Sequence, residues 1–325
     1  MVEKPSAELV ALLNAGVARE LQVSAQYILQ HTKMEKLLRK VRAENILLET
    51  TTYEALGKLL KTMAIEEMKH AGTIMERLYY LGAEATTKAA PVKIGKNLKE
   101  FMSHGFEAEA EALELYMKTI KLAEGEGDME TGEIFRKIYS DELKHYHSFE
   151  ERLKLDISEP EGPKDIESKH TSVYTSEYFS LLNKAVAAEI GAIVQYTNQH
   201  EKASKIALRS LETPMEVIGE KNKAAVVSEM LKKFARQEMS HLDKIAERIH
   251  LLGGDVVTTP DPLPKIGETV DDFLRNGKEG EDYAIVLYRQ IIAKAIEIGD
   301  ITTRKVFEGI TDEEDGHYWA FDDYF

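Results

Sequence analysis

The strongest constraint on the fold is that one unit occurs twice in tandem in this 325-residue chain. The segment RELQVSAQYILQHTKMEK at 19–36 aligns with AEIGAIVQYTNQHEKASK at 188–205, an offset of 169 residues. Three further pairs follow at offsets of 171 and 172. They are MERLYYLGAE and AERIHLLGGD, KIGKNLKEFMSHG and KIGETVDDFLRNG, and DELKHY and DEEDGHY. Because the offset drifts so little over the whole length, we interpret the chain as a tandem duplication.

A segment poor in apolar residues separates the two copies. The stretch DISEPEGPKDIESKH at 156–170 is rich in Pro, Gly, Asp and Glu, which is typical of a linker. We therefore predict a first domain at 1–157, a linker at 158–172 and a second domain at 173–325. Each domain is long enough to bury its own core.

Each copy has the apolar spacing of four long helices. In the stretch 7–29, Leu9, Leu13 and Val17 recur along one face, as in an amphipathic helix. A Pro-containing connection between the second and third helix is long enough to cross a bundle from end to end. The sequence therefore predicts an all-α chain of two tandem four-helix bundles. The other helical segments are 45–81, 97–123, 129–154, 176–205, 221–252, 269–298 and 300–322.

Composition narrows the chemistry. The chain has no Cys, which excludes disulfides, thiolate catalysis, zinc–thiolate sites and iron–sulfur clusters. Its net charge is −15 and it has no long Lys/Arg cluster, so we expect no nucleic-acid partner. No apolar run approaches the roughly 20 residues of a membrane helix, and the start MVEKPSAELV does not resemble a signal peptide. We expect a cytoplasmic protein without a membrane partner.

Carboxylates and histidines interrupt the apolar faces of the predicted helices. The motif Glu-x-x-His occurs on the second and fourth helix of each copy, and a single inward Glu lies on the first and third. Residues three apart lie about 60° apart around a helix, so this Glu and His can bind one ion together. The candidate ligands are Glu20, Glu67, His70, Glu109, Glu142 and His145 in the first copy, and Glu189, Glu238, His241, Glu281, Glu314 and His317 in the second.

The choice of the third-helix ligands depends on the repeat. Glu107, Glu111 and Glu114 lie close to Glu109, and Asp282 lies beside Glu281. The offset of 172 residues pairs position 109 with position 281.

Four inward carboxylates in one bundle require positive charge, because each buried carboxylate without a counterion costs several kcal/mol. Two divalent cations would neutralise them. Oxygen-rich ligation with two His and no thiolate suits iron or manganese. The sequence therefore predicts a dinuclear metal site in each copy.

With these residues placed, the chain resembles two bacterioferritin or ferritin-like domains in tandem. The segments LLNAGVARELQVSAQY and EEMKHAGTIMERLYYLGAE carry the resemblance. It implies ferritin-like bundles, two di-iron centres, and oxidation of Fe(II) by O2 or H2O2. The twelve candidate ligands would also be the catalytic residues, since no separate acid or base is needed. The family pattern gives Glu67, Glu142, Glu238 and Glu314 the bridging positions.

Two methionines raise the question of a haem. Met68 and Met239 directly follow the second-helix Glu, about 100° around the helix. In bacterioferritin a Met at this place ligates a haem shared across a twofold interface. The resemblance therefore implies haem b between two domains packed as an internal pseudo-dimer. An ordinary interface Met is the alternative.

The chain departs from the family pattern in three ways. The 47 residues from Glu20 to Glu67, and the 49 from Glu189 to Glu238, exceed the usual gap and indicate longer helices or an added short helix. The chain ends eight residues after His317, without the family's fifth helix. This argues against the 24-subunit cage, and we expect a monomer or small homo-oligomer. The absence of Cys disfavours a rubrerythrin.

Two further pairs lie on the first-helix face. Tyr27 and Tyr196 follow their Glu by seven residues, and we predict either core tyrosines or hydrogen-bonding neighbours of the metals. His31 and His200 lie about 16 Å along the axis from the same Glu, too far to bind the metal. We favour a structural role for them over iron entry.

Three functions remain open. The leading hypothesis is a ferroxidase-type oxidoreductase for iron handling or detoxification. The second is iron storage or buffering by an assembly, and the third is a di-iron or Mn/Fe oxygenase acting on an organic substrate. A deep apolar channel to one metal site, absent at the other, would favour the oxygenase. The acidic charge disfavours DNA protection.

Overall fold

The computed structural model of the chain describes residues 5–43, 47–155, 173–209 and 218–325. These residues form helices and turns and contain no β-strand. The chain divides into two compact units, Met1–Lys164 and Asp165–Phe325. The predicted linker at 158–172 lies outside the described residues, so the domain boundaries stay predictions. The helices are α1 Ala7–Ala43, α2 Leu47–Tyr80, α3 Leu98–Gly125, α4 Met129–Leu153, α5 Ser176–Arg209, α6 Ile218–Leu252, α7 Val270–Ile298 and α8 Ile301–Asp322.

Within each unit, helices adjacent in sequence pack together. In the first unit α1 packs against α2, α3 against α4, and α1 also against α3. The helices α5 to α8 repeat these pairings in the second unit. The prediction of two tandem four-helix bundles is therefore confirmed. Within the described ranges, no helix is long and apolar enough to cross a membrane.

The residues added between the first and second helix lengthen those helices. In the first unit α1 continues to Ala43 and α2 begins at Leu47. In the second unit α5 continues to Arg209 and α6 begins at Ile218. Of the two predicted forms, longer helices agree with the first unit; residues 210–217 of the second lie outside the described residues.

Aromatic side chains fill the space between α3 and α4. Phe149 of α4 is buried against Gly105 of α3, where a β-carbon would come within 2.5 Å of the phenyl ring. Phe321 packs on Gly277 in the same way in the second unit. The helices can therefore approach closely at this point, and the bundle centre forms next to it.

The connection from α2 to α3 runs along α1. Asn14, Gln30 and Lys33 donate hydrogen bonds to backbone carbonyls of the connection, at 3.0–3.1 Å. From Asn14 to Lys33 the helix rises roughly 28 Å. The connection therefore crosses from one end of the bundle to the other, as predicted. Asn183, Gln199 and Lys202 hold the connection from α6 to α7 in the same way.

A buried arginine joins α2 to the start of α4. Asp128 caps α4 by accepting a hydrogen bond from the Thr131 amide at 3.0 Å. Arg77 of α2, only 3% exposed, donates to the Asp128 carboxylate at 2.6 Å and to the Thr131 hydroxyl at 2.8 Å. Burial works to raise the pKa of Asp128, but these hydrogen bonds and the charge of Arg77 hold it below its usual value. Arg248 and Asp300 repeat the pair at 2.7 Å.

Candidate metal centres

The first bundle brings its six predicted ligands to its centre. They form two overlapping groups, in which one ligand atom from each residue lies within 4.8 Å of the others. All six side chains are buried except His70, which is 12% exposed. Glu67 and Glu142 belong to both groups, as expected of carboxylates that bridge two ions. The groups are Glu20, Glu67, His70 and Glu142, and Glu67, Glu109, Glu142 and His145.

The second bundle repeats this arrangement. Its six predicted ligands are all buried and again form two overlapping groups. Glu238 and Glu314 are the shared residues. The groups are Glu189, Glu238, His241 and Glu314, and Glu238, Glu281, Glu314 and His317.

Each histidine presents Nδ1 to the two shared carboxylates. His70 Nδ1 lies 2.8 Å from Glu142 and 3.0 Å from Glu67. His145 Nδ1 lies 2.8 Å from Glu67 and 3.4 Å from Glu142. The corresponding distances in the second unit are 2.8–3.0 Å. The two imidazole centres are 6.4 Å apart in the first unit and 6.1 Å in the second.

The chemistry of the donors fits a dinuclear centre. Several carboxylate oxygens at the groups are buried without a hydrogen-bond partner among the described residues, which is costly unless a cation binds them. Carboxylate oxygens and imidazole nitrogens without sulfur suit iron or manganese. The oxygens include Glu20 Oε2 and Glu109 Oε2.

The pKa values of the four histidines also indicate that the buried carboxylates require positive charge. Burial works to lower the pKa of His145, but hydrogen bonds to Glu142 and Glu67 raise it to about 12. Similar contacts raise the pKa of His70 to about 11. Those of His241 and His317 rise to about 12.

The unshared carboxylates also favour their protonated form. Burial, and then the neighbouring carboxylates, raise the pKa of Glu20 and Glu109 well above the usual value. Glu189 and Glu281 are raised for the same reasons. Without a metal, bound protons therefore supply the positive charge that the carboxylates require.

Tyrosines hold the unshared carboxylates in a crosswise pattern. Tyr27 of α1 donates a hydrogen bond to Glu109 of α3, and Tyr116 of α3 donates one to Glu20 of α1. In the second unit Tyr196 donates to Glu281 at 2.5 Å, and Tyr288 donates to Glu189.

Sequence reasoning selected only half of these tyrosines. It named Tyr27 and Tyr196 and missed Tyr116 and Tyr288. A signal was present, because Tyr116 follows Glu109 by seven residues, as Tyr27 follows the first-helix Glu. The same spacing recurs in the second copy.

In the first unit, the outer nitrogen of each histidine faces an acid that directly precedes a motif glutamate. His145 Nε2 lies 3.0 Å from Glu66, and His70 Nε2 lies 3.7 Å from Asp141. An acid at this position fixes the tautomer of the imidazole and leaves Nδ1 free for a metal. Sequence reasoning missed these acids.

The second unit keeps only one of these acids. His241 Nε2 lies 3.2 Å from Glu313. His317 Nε2 has no hydrogen-bond partner among the described residues, and the phenyl ring of Phe234 lies 3.9 Å from its imidazole. The residue that corresponds to Glu66 is Gln237. The two centres therefore differ in the surroundings of one histidine.

Burial separates the third-helix ligands from their neighbours. Glu109 and Glu281 are buried, whereas the nearby acids are exposed, in agreement with the repeat. The exposed acids are Glu107, Glu111, Glu114 and Asp282.

The remaining predicted residues lie outside the groups. His200 donates from Nδ1 to the Ser228 carbonyl at 2.8 Å, and burial lowers its pKa. His31 is buried in α1. Met239 is buried and Met68 half-buried, and haem b at these methionines stays a prediction.

Comparison with known proteins places both regions in one family. The chain matches the family profile of the ferritin-like domain at residues 10–156 and 220–325. It is 32% identical to bacterioferritin of Desulfovibrio desulfuricans over 142 residues, which is 44% of this chain and 70% of that protein. It is 30% identical to bacterioferritin of Rhodobacter capsulatus over 148 residues, 44% of this chain and 78% of that protein.

Solved structures of the same two proteins are also similar. An X-ray structure of the D. desulfuricans protein, described by its diiron site in different catalytic states, has 26% identity and a TM-score of 0.40 over 45% of this chain and 78% of that one. The R. capsulatus structure has 26% identity and a TM-score of 0.40 over 46% and 86%. The sequence matches cover most of this chain in two regions, and each bacterioferritin corresponds to less than half of it. The chain therefore belongs to the ferritin-like family, as two bacterioferritin-like halves in tandem.

Proposed function

We propose that the chain is a ferroxidase-type oxidoreductase that binds Fe(II) at two dinuclear centres and oxidises it with O2 or H2O2. The observation that carries this proposal is the pair of overlapping groups in each bundle, joined by two shared carboxylates. Membership of the ferritin-like family supports it.

The proposal gives each ligand a role. In the first unit Glu20 and His70 bind one iron, and Glu109 and His145 bind the other. Glu67 and Glu142, which belong to both groups, would be shared by the two ions. In the second unit the corresponding residues are Glu189 and His241, Glu281 and His317, and the shared Glu238 and Glu314.

Iron is the substrate and supplies the electrons, one from each Fe(II), while the oxidant accepts them. The protein binds, orients and shields the ions. Anionic oxygen ligands stabilise Fe(III) more than Fe(II), because the electrostatic attraction grows with the charge of the ion. Tyr27 and Tyr116 hold the unshared carboxylates in place, so the ligands need little rearrangement when the charge changes.

Metal content is the decisive test. Anaerobic titration of the metal-free full chain with Fe(II) should saturate at about four ions, two per bundle. Adding O2 should then consume oxygen. Glu67→Ala and Glu238→Ala should each reduce binding to about two ions, whereas Glu107→Ala, which removes an exposed acid of α3, should leave it unchanged. Binding of less than about one ion per chain would contradict the proposal.

Iron storage by a larger assembly is one alternative, and oxygenation of an organic substrate is the other. Storage predicts uptake of iron far beyond the stoichiometric sites, in a particle much heavier than the chain. Size-exclusion chromatography with elemental analysis of the iron-loaded fraction distinguishes storage from oxidation at the stoichiometric sites. Elemental analysis of the protein as isolated would also show whether manganese occupies part of the sites.

A further inference from the structure

A pocket of about 280 Å³ lies beside the second centre. It is formed by α5, α7 and the connection from α6 to α7. Its inner end is lined by the carboxylates of the centre, including Glu189 and Glu281. Its outer wall is largely apolar and includes Pro262, Leu263 and Tyr283. The charges of Lys265 and Glu279, which also line it, offset each other at 3.0 Å.

The corresponding place in the first unit holds a buried arginine paired with a carboxylate. The repeat aligns Arg19 with Ala188 of the pocket, and Glu111 with Tyr283. Arg19 is buried and donates hydrogen bonds to the Glu111 carboxylate at 2.5 Å and to the Ala108 carbonyl at 2.7 Å. This ion pair joins α1 to α3 at the position where the second unit has the pocket-lining Ala188 and Tyr283.

A third exchange enlarges the difference. Gln22 accepts a hydrogen bond from Arg19 at 2.9 Å, and its counterpart in the second unit is Gly191. A β-carbon at Gly191 would come within 3.1 Å of the Pro262 carbonyl, so the connection lies directly against α5 here. Arg19, Gln22 and Glu111 together form a charged, hydrogen-bonded plug. In the second unit Ala188, Gly191 and Tyr283 stand in their places.

The size and the polar atoms of the pocket limit what it can bind. An apolar cavity of about 150 Å³ binds benzene, so this pocket has room for about ten to twelve non-hydrogen atoms. At its inner end the carboxylates accept hydrogen bonds, and the hydroxyls of Tyr196 and Tyr288 already donate to Glu281 and Glu189. A ligand that brings a hydrogen-bond donor can therefore pair with the carboxylate oxygens at this end.

We propose that this pocket binds one small, uncharged organic molecule, with an apolar body against the outer wall and a hydroxyl end toward the second centre. The polar side chains of the outer wall are already paired: Glu279 with Lys265 at 3.0 Å, and Gln195 and Asn276 with the Lys265 backbone. This favours an organic occupant over a cation route. The proposal does not depend on ferroxidase activity, because binding requires no oxidation.

The test uses 2-naphthol, a probe of this size and chemistry, with the full chain carrying redox-inert Co(II). Isothermal titration should give one 2-naphthol per chain, with a change in the Co(II) absorption that Glu238→Ala removes. The variant Ala188→Arg/Tyr283→Glu, which rebuilds the plug, should weaken binding at least tenfold while retaining Co(II) stoichiometry.

A reciprocal variant keeps the test independent of misfolding. Arg19→Ala/Gln22→Gly/Glu111→Tyr removes the plug of the first unit and should raise the stoichiometry to two. Absence of binding, two sites in the unmodified chain, or equal affinity in the plugged variant would overturn the proposal. The proposal would also be overturned if Ala188→Arg/Tyr283→Glu slowed Co(II) uptake without weakening 2-naphthol binding, because the pocket would then be a route for metal ions. Failure of iron oxidation alone would leave these results unchanged.

Discussion

At the residue scale, the chemistry is governed by how each centre balances four buried carboxylates. Hydrogen bonds with the carboxylates raise the pKa of all four histidines to about 11–12 despite burial. Metal ions would take the place of these protons, so binding and deprotonation are coupled. The acids behind the histidines then determine how well each imidazole is prepared to bind.

Replacing one of these acids should weaken one centre selectively. Glu66 accepts a hydrogen bond from His145 Nε2 at 3.0 Å, and its counterpart in the second unit is Gln237. We expect Glu66→Gln to lower the Co(II) affinity of the first centre about tenfold, because the imidazole loses the partner that fixes its tautomer. Co(II) titration against a competing chelator measures this affinity.

The repeat provides the matched control for that experiment. Gln237→Glu should increase the Co(II) affinity of the second centre, because it gives His317 the missing acid. If neither substitution changed the affinity, the outer acids would have no role in metal binding.

At the element scale, helix ends and connections hold the ligand-bearing helices in register. The connection from α2 to α3 is fixed along α1 by side-chain hydrogen bonds, and the start of α4 is fixed to α2 by Arg77. These contacts position Glu67 and Glu142, which lie on α2 and α4, opposite each other. Polar residues of α1 and α2 therefore contribute to the centre without contacting it.

Removing Arg77 should destabilise the first unit. Arg77→Ala leaves Asp128 partly buried without its charged partner, and the expected loss is roughly 3 kcal/mol in the free energy of unfolding. Urea unfolding monitored by circular dichroism measures it. Arg136→Ala, which removes exposed pairs with Glu124 and Glu133, should cost less than about 1 kcal/mol. Equal losses in the two variants would contradict a special role for Arg77.

At the scale of the whole molecule, each unit brings together all six of its predicted ligands, and the surroundings of the two sets are not equivalent. The first has an acid behind both histidines and a charged plug at its side. The second has one such acid and a pocket. The duplication has therefore retained the ligands while the surroundings diverged, which favours different partners for the two centres.

The metal-free chain should lose stability as the pH rises. The folded histidine pKa values of about 11–12 lie above the unfolded value near 6.5. Their contribution to stability is thus complete below pH 6.5 and is lost as the pH rises toward 11. The raised pKa of the unshared carboxylates acts in the same direction. The lowered pKa of Glu238, about 2, matters only below pH 4.5.

Thermal unfolding with a chelator and with Co(II) checks this expectation. Between pH 6.5 and 9 the melting temperature of the chelated chain should fall. That of the Co(II) chain should fall less, because the ions supply the positive charge once the protons leave. A chelated chain that became more stable over this range would contradict the assignment of the histidines to the carboxylate groups.

The sequence alone determined the duplication, the helices and the twelve candidate ligands, because each is a local periodicity: apolar residues every three or four positions, Glu and His three apart, and a constant offset between copies. Haem, oligomeric state and the domain boundaries stay predictions. The tertiary structure decided which side chains from different helices meet. Tyr116 reaches Glu20 across the bundle, Glu66 reaches His145, and Arg19 pairs with Glu111 where the second unit has Ala188 and Tyr283 at its pocket. Such contacts depend on the rotation and separation of packed helices, which no spacing within one helix specifies.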